Sequence, residues 1–164
     1  MRKIYLKKIN IPKNAKVLDL GSYDGKQNKW MVKSGYLYKG IDLLKENKYV
    51  EKSDFVSWLK TNNEKFDLIL AEFSLQQIKK KEISIVIKMI KQALNPKGYF
   101  YFSSFNKNDS FNPCFSQKDF LKMCNNFEIV SWNSRTGVDL RGRNRQVTEL
   151  LLKKVTVSEN KNKE

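Results

Sequence analysis

Residues Val17–Gly25 read VLDLGSYDG, an apolar run that passes into a turn with a glycine at each end. Lys16–Leu20, which is apolar apart from Lys16 and Asp19, predicts a β-strand, and Gly21–Gly25 predicts a tight turn in which the backbone can approach a ligand closely. The next segment, Lys26–Ser34, predicts a helix that ends at Gly35. An ordinary strand-to-helix turn has the same residues, so this stretch alone does not identify a binding site.

A second strand is predicted at Tyr38–Asp42. Its last residue, Asp42, follows the glycine turn by about twenty residues, which is the spacing at which a carboxylate can accept hydrogen bonds from a ribose diol. An aspartate at a strand end can also cap a helix or lie in a solvated loop. The joint pattern of turn and carboxylate favours a nucleoside-containing ligand.

Short apolar runs alternate with helical patterns through the rest of the chain. Further strands are predicted at Phe66–Ala71, Tyr99–Phe105, Phe127–Asn133 and Gln146–Lys154. Helices are predicted at Lys81–Leu94, which leads into the turn Asn95–Gly98, and at Ser116–Cys124, while Asp54–Leu59 fits either a short strand or a helical turn.

This alternation predicts an α/β fold, a doubly wound, mostly parallel sheet with helices on both faces. The last two strands have no helix between them and are expected to pair as an antiparallel C-terminal hairpin. Ligands of doubly wound sheets bind beyond the carboxyl ends of the strands. The functional residues are therefore expected at strand ends.

Size and composition predict one domain. The chain has 164 residues, of which 40% are hydrophobic and 12% aromatic, enough to build a single core. We expect the domain to span residues 1–155 and residues 156–164 to form a disordered tail. No run of 18 apolar residues occurs, so we expect no membrane span, a cytoplasmic location and reduced thiols at Cys114 and Cys124.

The sequence contains no histidine and only two cysteines, which excludes Cys/His zinc sites and histidine-based catalytic triads. No metal site is predicted. The proton acceptors that remain for catalysis are Glu72, Asp24 or a tyrosine such as Tyr5.

The formal net charge is +15, which alone suggests a polyanionic partner such as RNA or DNA. The lysines are spread along the whole chain, however, and an AT-rich genome would produce the same excess. The arginines differ, because all but Arg2 lie between Arg135 and Arg145. Arg141, Arg143 and Arg145 alternate, so on an extended strand their guanidinium groups share one face and can clamp an oxyanion or a phosphate; a solvated hairpin loop is the other interpretation.

Four motifs in order, DLGSYDG at Asp19–Gly25, GID at Gly40–Asp42, FDLIL at Phe66–Leu70 and LNPKG at Leu94–Gly98, resemble those of class I S-adenosylmethionine-dependent methyltransferases. The resemblance covers most of the chain and implies the Rossmann-like methyltransferase fold, with S-adenosylmethionine as the cofactor. The closing segment, Phe115–Lys154, is similar to the small tellurite-resistance type of these enzymes, which carry basic residues in the last hairpin.

The resemblance also implies roles for individual residues. Asp19 and Gly21 would line the methionine end of the cofactor, Asp42 would hold the ribose, Asp54 and Phe55 would border the adenine, and Glu72 and Phe73 would face the transferred methyl group. Ser22, Tyr23 and Gly25 of the turn, and Leu43 beside Asp42, belong to the same predicted cofactor site. Glu72 and Arg143 are the predicted catalytic residues.

Tyr23 departs from the family pattern, since many members have glycine at this position. Its side chain would either crowd the cofactor or turn outward.

Three functions are compatible with the sequence: methyl transfer to a small nucleophilic or anionic molecule, methylation of RNA or another nucleic acid through the basic surface, and non-catalytic binding of the cofactor or a partner. The sequence does not predict the oligomeric state.

Overall fold

The computed structural model describes residues 9–23, 25–105, 119, 122, 124–125, 127–138 and 142–155. Within them the strands are β1 (Lys16–Leu20), β2 (Leu37–Asp42), β3 (Val50–Lys52), β4 (Phe66–Glu72), β5 (Leu94–Phe105), β6 (Phe127–Val138) and β7 (Asn144–Lys154). The helices are α1 (Lys26–Lys33), α2 (Phe55–Thr61) and α3 (Ile83–Ala93), with a 3₁₀ turn at Leu75–Gln77.

The strands form one sheet in the order β3-β2-β1-β4-β5-β7-β6. The pairs from β3 through β5 are parallel, whereas β7 is antiparallel to both β5 and β6. This arrangement confirms the predicted α/β fold with its antiparallel C-terminal hairpin. From β1 the chain adds β2 and β3 on one side of the sheet and then β4 on the other side, so the strand order changes side at β1.

Each face of the sheet carries its own apolar layer. Leu18 and Leu20 of β1 point into the larger layer, which α2 and α3 cover. Val17 points into the smaller layer, where Met31 of α1 packs. The alternation along β1 follows from the two-residue period of a strand, so both faces are covered by helices as the sequence predicts.

Helix α3 has the spacing expected from its sequence. Its buried side chains, Ile83, Val86, Ile87, Ile90 and Ala93, recur every three or four residues and form one stripe against the sheet. The predicted helix Lys81–Leu94 is thus confirmed, with its ends one or two residues shorter.

The region between β2 and β4 was only partly predicted. Phe55–Thr61 is a helix, and Asp54 caps it by accepting a hydrogen bond of 2.8 Å from the backbone N–H of Ser57. The short strand β3 was not predicted. Its three residues, of which only Val50 is buried, are too few to show a period.

The turn expected at Asn95–Gly98 lies inside β5. Leu94 pairs with Phe66 of β4, and the next paired residues are Tyr99 and Leu68. The residues between Leu94 and Tyr99 therefore form an excursion, in which Lys97 has a φ of 62°.

The hairpin strands are longer than expected, because β6 extends to Val138 and β7 begins at Asn144. Arg135 and Arg145 consequently lie in strands rather than in a loop. The predicted helix Ser116–Cys124 falls mostly outside the described residues, although Asp119 and Lys122 are helical. Tyr5, Asp24, Cys114, Arg141 and residues 156–164 also lie outside them.

Cys124 is a buried free thiol in this structure. Burial raises the pKa of the Cys124 thiol to about 12, so the thiol is protonated at neutral pH. A protonated, buried thiol is a poor nucleophile, and Cys124 serves to fill the core. No described helix combines the length and apolar character needed to cross a membrane.

Two isoleucines of α3 test the core assignment. Ile90 is fully buried and Ile85 is 57% exposed. Ile90→Ala should lower the free energy of unfolding by about 2–5 kcal/mol, because it opens a cavity under the helix. Ile85→Ala, the matched control, should change it by less than about 0.5 kcal/mol. Urea unfolding of both variants measures the difference, and equal values would contradict the packing of α3.

Candidate active site

The carboxyl ends of β1, β2 and β4 surround a cavity of about 530 Å³. It brings together most of the residues predicted to bind the cofactor: Gly21, Tyr23, Asp42, Leu43, Asp54, Phe55, Glu72 and Phe73. Leu44, Ser74, Gln77 and Ile78 complete the described lining. The cavity lies beside β1 and β4, between which the strand order changes from one side of the sheet to the other. Ligand sites in such sheets usually lie at this point.

Gly21 is held tightly between two neighbouring strand ends. Its N–H donates a 2.8 Å hydrogen bond to the carbonyl of Ile41 in β2. Its φ is +71°, and a Cβ on Gly21 would lie 2.5 Å from the Cβ of Ser74, just after β4. Only glycine suits both the backbone conformation and the close approach.

Asp42 organises the backbone around the cavity. Its Oδ1 accepts hydrogen bonds from the N–H groups of Leu44 (2.9 Å) and Lys45 (3.1 Å), and its Oδ2 accepts one from the N–H of Tyr23 (2.8 Å). A carboxylate oxygen can accept two hydrogen bonds. Among the described residues, Oδ2 therefore retains capacity for one more donor, such as a ligand hydroxyl.

Glu72 and Phe73 form the opposite wall. Glu72 ends β4 and is half-buried, and Phe73 has a φ of 55°. The ring of Phe73 packs on Phe105 of β5 at a centroid distance of 4.7 Å. The guanidinium of Arg145 lies 5.6 Å from the centre of the Phe105 ring. These contacts connect the cavity wall to the C-terminal hairpin.

Comparison with known proteins agrees with this geometry. The model of the family described as "Methyltransferase domain" matches residues 3–151. The chain belongs to this methyltransferase family. The match confirms the predicted enzyme class and, with it, S-adenosylmethionine as the cofactor. A search of curated protein sequences finds no match.

Solved structures of methyltransferases share the fold. An S-adenosylmethionine-dependent methyltransferase from Methanosarcina mazei is 16% identical with a TM-score of 0.77, over 94% of this chain and 98% of that one. TehB from Haemophilus influenzae is 17% identical with a TM-score of 0.77, over 94% of this chain and 62% of TehB. The 1,6-didemethyltoxoflavin-N1-methyltransferase of Burkholderia thailandensis is 16% identical with a TM-score of 0.70, over 88% and 72%. These similarities show that the chain shares the fold of these three proteins.

Tyr23 of this methyltransferase lies at the rim of the cavity. Its φ of 48° is in the left-handed region, where a residue other than glycine is uncommon. The side chain is 56% exposed, and the Nζ of Lys45 lies 5.4 Å from its ring centroid. The ring therefore stands at the mouth of the cavity and leaves the floor open.

Asp19 is buried beneath the glycine turn. It is 3% exposed and accepts a 2.6 Å hydrogen bond from the hydroxyl of Tyr38. Burial raises the pKa of Asp19, and the hydrogen bond from Tyr38 offsets part of that effect. Asp19, Ser22 and Gly25 are not among the described residues that line the cavity, and their contact with the cofactor remains a prediction.

The predicted clamp of alternating arginines stays a prediction, because Arg141 lies outside the described residues. Arg145 is buried and Arg143 is exposed. Arg135, which is not part of that clamp, donates a 2.7 Å hydrogen bond through Nε to the buried carboxylate of Glu149, which also accepts one from Asn133 at 3.1 Å. Burial and this ion pair are tertiary features that the alternation of arginines does not encode. Arg143 is not among the described lining residues.

Ser74 was not predicted as a site residue. Its hydroxyl is buried beside the cavity and has no hydrogen-bond partner within the described part of the chain. A buried polar group without a partner is uncommon, and a ligand atom can supply the missing bond. The available sequence signal was its position after a strand end, two residues beyond Glu72.

Asp19→Asn tests the cost of burying this carboxyl group. Burial raises the folded-state pKa of Asp19, so the folded protein holds this proton more tightly than the unfolded chain does. The resulting stabilisation is fully present below the unfolded pKa and is lost as the pH rises through the folded pKa. Asparagine keeps an acceptor for the Tyr38 hydroxyl without the charge. The variant should be more stable than the wild type at pH 7, with the advantage shrinking toward about pH 4.

Urea unfolding at both pH values measures this difference, with the exposed Glu51→Gln as the control. An Asp19→Asn protein that is less stable than the wild type at pH 7 would contradict the burial argument.

Proposed function

We propose that this methyltransferase binds S-adenosylmethionine in the cavity at the ends of β1, β2 and β4 and methylates a small nucleophilic or anionic molecule. The main observation in support of the cofactor site is the negative charge of the cavity lining. Three carboxylates, of Asp42, Asp54 and Glu72, line the cavity, and no lysine or arginine is among its described lining residues. In a chain of 32 basic and 17 acidic residues, such a cavity favours a ligand with cationic sulfonium and ammonium groups.

The contacts suit the separate parts of the cofactor. The Oδ2 of Asp42 can accept a hydrogen bond from one ribose hydroxyl. Gly21 offers close backbone approach to the methionine end, and Leu43 with Phe55 offers apolar surface to the adenine. Ser74 can give its unpaired hydroxyl to a polar atom of the ligand. Glu72 and Phe73 would stand near the transferred methyl group.

The cofactor supplies an electrophilic methyl group when it is bound. The protein has to hold the acceptor in line with that methyl group and exclude water. Phe73 and Phe105 form an apolar wall that serves this exclusion. Glu72 can accept a proton from an acceptor that must lose one, whereas an acceptor that is already anionic needs no base.

A small acceptor is supported by the hairpin side of the site. Arg145, which is buried, adds a positive charge beside the ring of Phe105, which packs on Phe73. This charge would favour an anionic acceptor near the Phe73–Phe105 pair, while the cationic cofactor would occupy the acidic cavity. The Burkholderia relative, whose structure contains 1,6-didemethyltoxoflavin, supports the view that this fold accepts a small molecule.

Calorimetry tests the cofactor site. Wild-type protein should bind S-adenosylmethionine, and Asp42→Ala should weaken binding by at least about tenfold, since a hydrogen bond to a charged group contributes about 1.5–3 kcal/mol. Glu128→Ala removes an exposed carboxylate of β6 and should bind like the wild type. Asp42→Asn keeps one acceptor oxygen for the nearby N–H groups. It therefore serves as a second variant in case Asp42→Ala disturbs the loop around position 42.

Two calorimetric results would defeat these assignments. If wild-type protein gives no heat of binding at millimolar cofactor, the assignment of this cavity as the cofactor site is wrong. If the wild type and both folded Asp42 variants bind the cofactor equally well, the proposed contact between Asp42 and the ribose is wrong.

RNA methylation is the second candidate, favoured by the net charge of +15. Incubation with S-adenosylmethionine labelled in the methyl group, together with total RNA and a small-molecule extract, separates the two. We expect label in the small-molecule fraction. Label in RNA that disappears as salt is raised would overturn the proposed substrate class.

A further inference from the structure

A second cavity, of about 580 Å³, lies between α3 and the open end of the C-terminal hairpin. One face of α3 forms its first wall. Phe127 at the start of β6 and Lys154 at the end of β7 form the second, and Lys122 and Asn125 lie beside them. We call this space the lysine cavity.

The lysine cavity is lined by four lysines: Lys88, Lys91, Lys122 and Lys154. No carboxylate is among the described residues that line it. Lys88 and Lys122 are exposed, and Lys91 is half-buried over the ring of Phe127, 5.7 Å from its centroid. The floor is apolar, because Ile87 and Phe127 are both buried. The charge is therefore arranged around an apolar base.

Local structure accounts for only part of this charge. The Nζ of Lys154 donates a 2.6 Å hydrogen bond to the carbonyl of Leu94, and Lys65 donates one of 2.8 Å to the carbonyl of Gln92. Both carbonyls lie at the C-terminus of α3, where positive charge is stabilising. This explains Lys65 and Lys154, and Lys91 lies in the last turn of the same helix, over the ring of Phe127. Lys88 and Lys122 are left without a carboxylate partner within the described residues.

Lys154 lies close enough to Lys65 and Lys91 for their positive charges to act on it. Burial lowers the pKa of Lys154, and the charges of Lys65 and Lys91 lower it further. Positive charge is thus concentrated here against its own repulsion, and an anion in the lysine cavity would relieve that repulsion.

The lysine cavity is separate from the cofactor site. Leu94, beside Lys154, pairs with Phe66 at the first residue of β4, whereas Glu72 of the cofactor site is the last residue of that strand. At about 3.3 Å per residue, the two ends of β4 are about 20 Å apart. The two described linings share no residue.

We propose that the lysine cavity binds a phosphate-bearing ligand of about nucleotide size. Several ammonium groups around one space suit the multiple charges of phosphates, and lysine binds phosphate as a point charge. The volume suits a small organic ligand, and Ile87 and Phe127 give apolar surface to the organic part. The phosphates come either from a free small molecule or from a nucleic-acid strand, and the proposal does not depend on methyl transfer.

The test compares two variants of equal charge. Lys88→Gln, Lys91→Gln and Lys122→Gln are combined in the cavity variant, which leaves Lys65 and Lys154 at the helix end. Lys13→Gln, Lys33→Gln and Lys60→Gln are combined in the control variant, whose lysines are exposed and lie elsewhere. The probes are inorganic tripolyphosphate and a fluorescein-labelled oligouridylate, because neither has an adenine that could enter the cofactor site.

We expect the cavity variant to bind at least one probe at least about tenfold more weakly than the wild type, and the control variant to stay within about twofold. For the oligouridylate, the slope of log affinity against log salt should fall by about 2 in the cavity variant. Amide NMR shifts of Gln92 and Asn125 should move with the bound probe. Binding of tripolyphosphate identifies a free anion as sufficient, and binding of the oligouridylate alone identifies a strand.

Equal losses in both variants would overturn the proposal, because they would show general attraction to a basic surface. Absence of binding of both probes to wild-type protein would also overturn it. Thermal melting checks that the variants fold, and the single variant Lys88→Gln, at an exposed position, covers the case in which the triple variant does not fold. Its affinity should fall in the same direction.

Discussion

The position of Gly21 between two strand ends constrains the rest of the site. Its N–H is bonded to β2, and its Cα approaches Ser74 after β4 so closely that a side chain would collide. The ends of three parallel strands can therefore converge on one small volume. Asp42 then orients the surrounding N–H groups, and the cavity follows from these contacts. A larger residue at position 21 would separate β1 from the end of β4 and open the site.

Charge is distributed unevenly over this basic chain. The cavity at the strand ends is lined by carboxylates, and the lysine cavity at the other end of β4 is lined by ammonium groups. Net charge describes attraction to a partner at long range, whereas the local lining decides which ligand is stable at contact. A net charge of +15 is therefore compatible with a site for a cationic cofactor.

The C-terminal hairpin uses its polar residues within the fold. Glu72, Ser103, Glu149 and Asn133 lie side by side across four adjacent strands. Glu149 is buried and is stabilised by Arg135 and Asn133. A buried carboxylate needs such partners, since an unpaired charge in the core is strongly unfavourable. The row links the wall of the cofactor site to the edge of the sheet.

The sequence by itself determined the order and type of most elements, because the two-residue period of the strands and the spacing of α3 are local. It also placed Gly21, Asp42 and Glu72 at strand ends, which parallel pairing then brings together. Strand β3 and the excursion inside β5 escaped prediction, since neither has a period of its own.

Only the tertiary structure decided the environment of particular side chains. It buried Asp19 against Tyr38, paired Arg135 with Glu149, left the Ser74 hydroxyl beside the cavity and gathered lysines from α3 and the hairpin. Each of these depends on contacts between residues distant in the chain, and local sequence patterns do not encode which distant residues meet or how far they are removed from water.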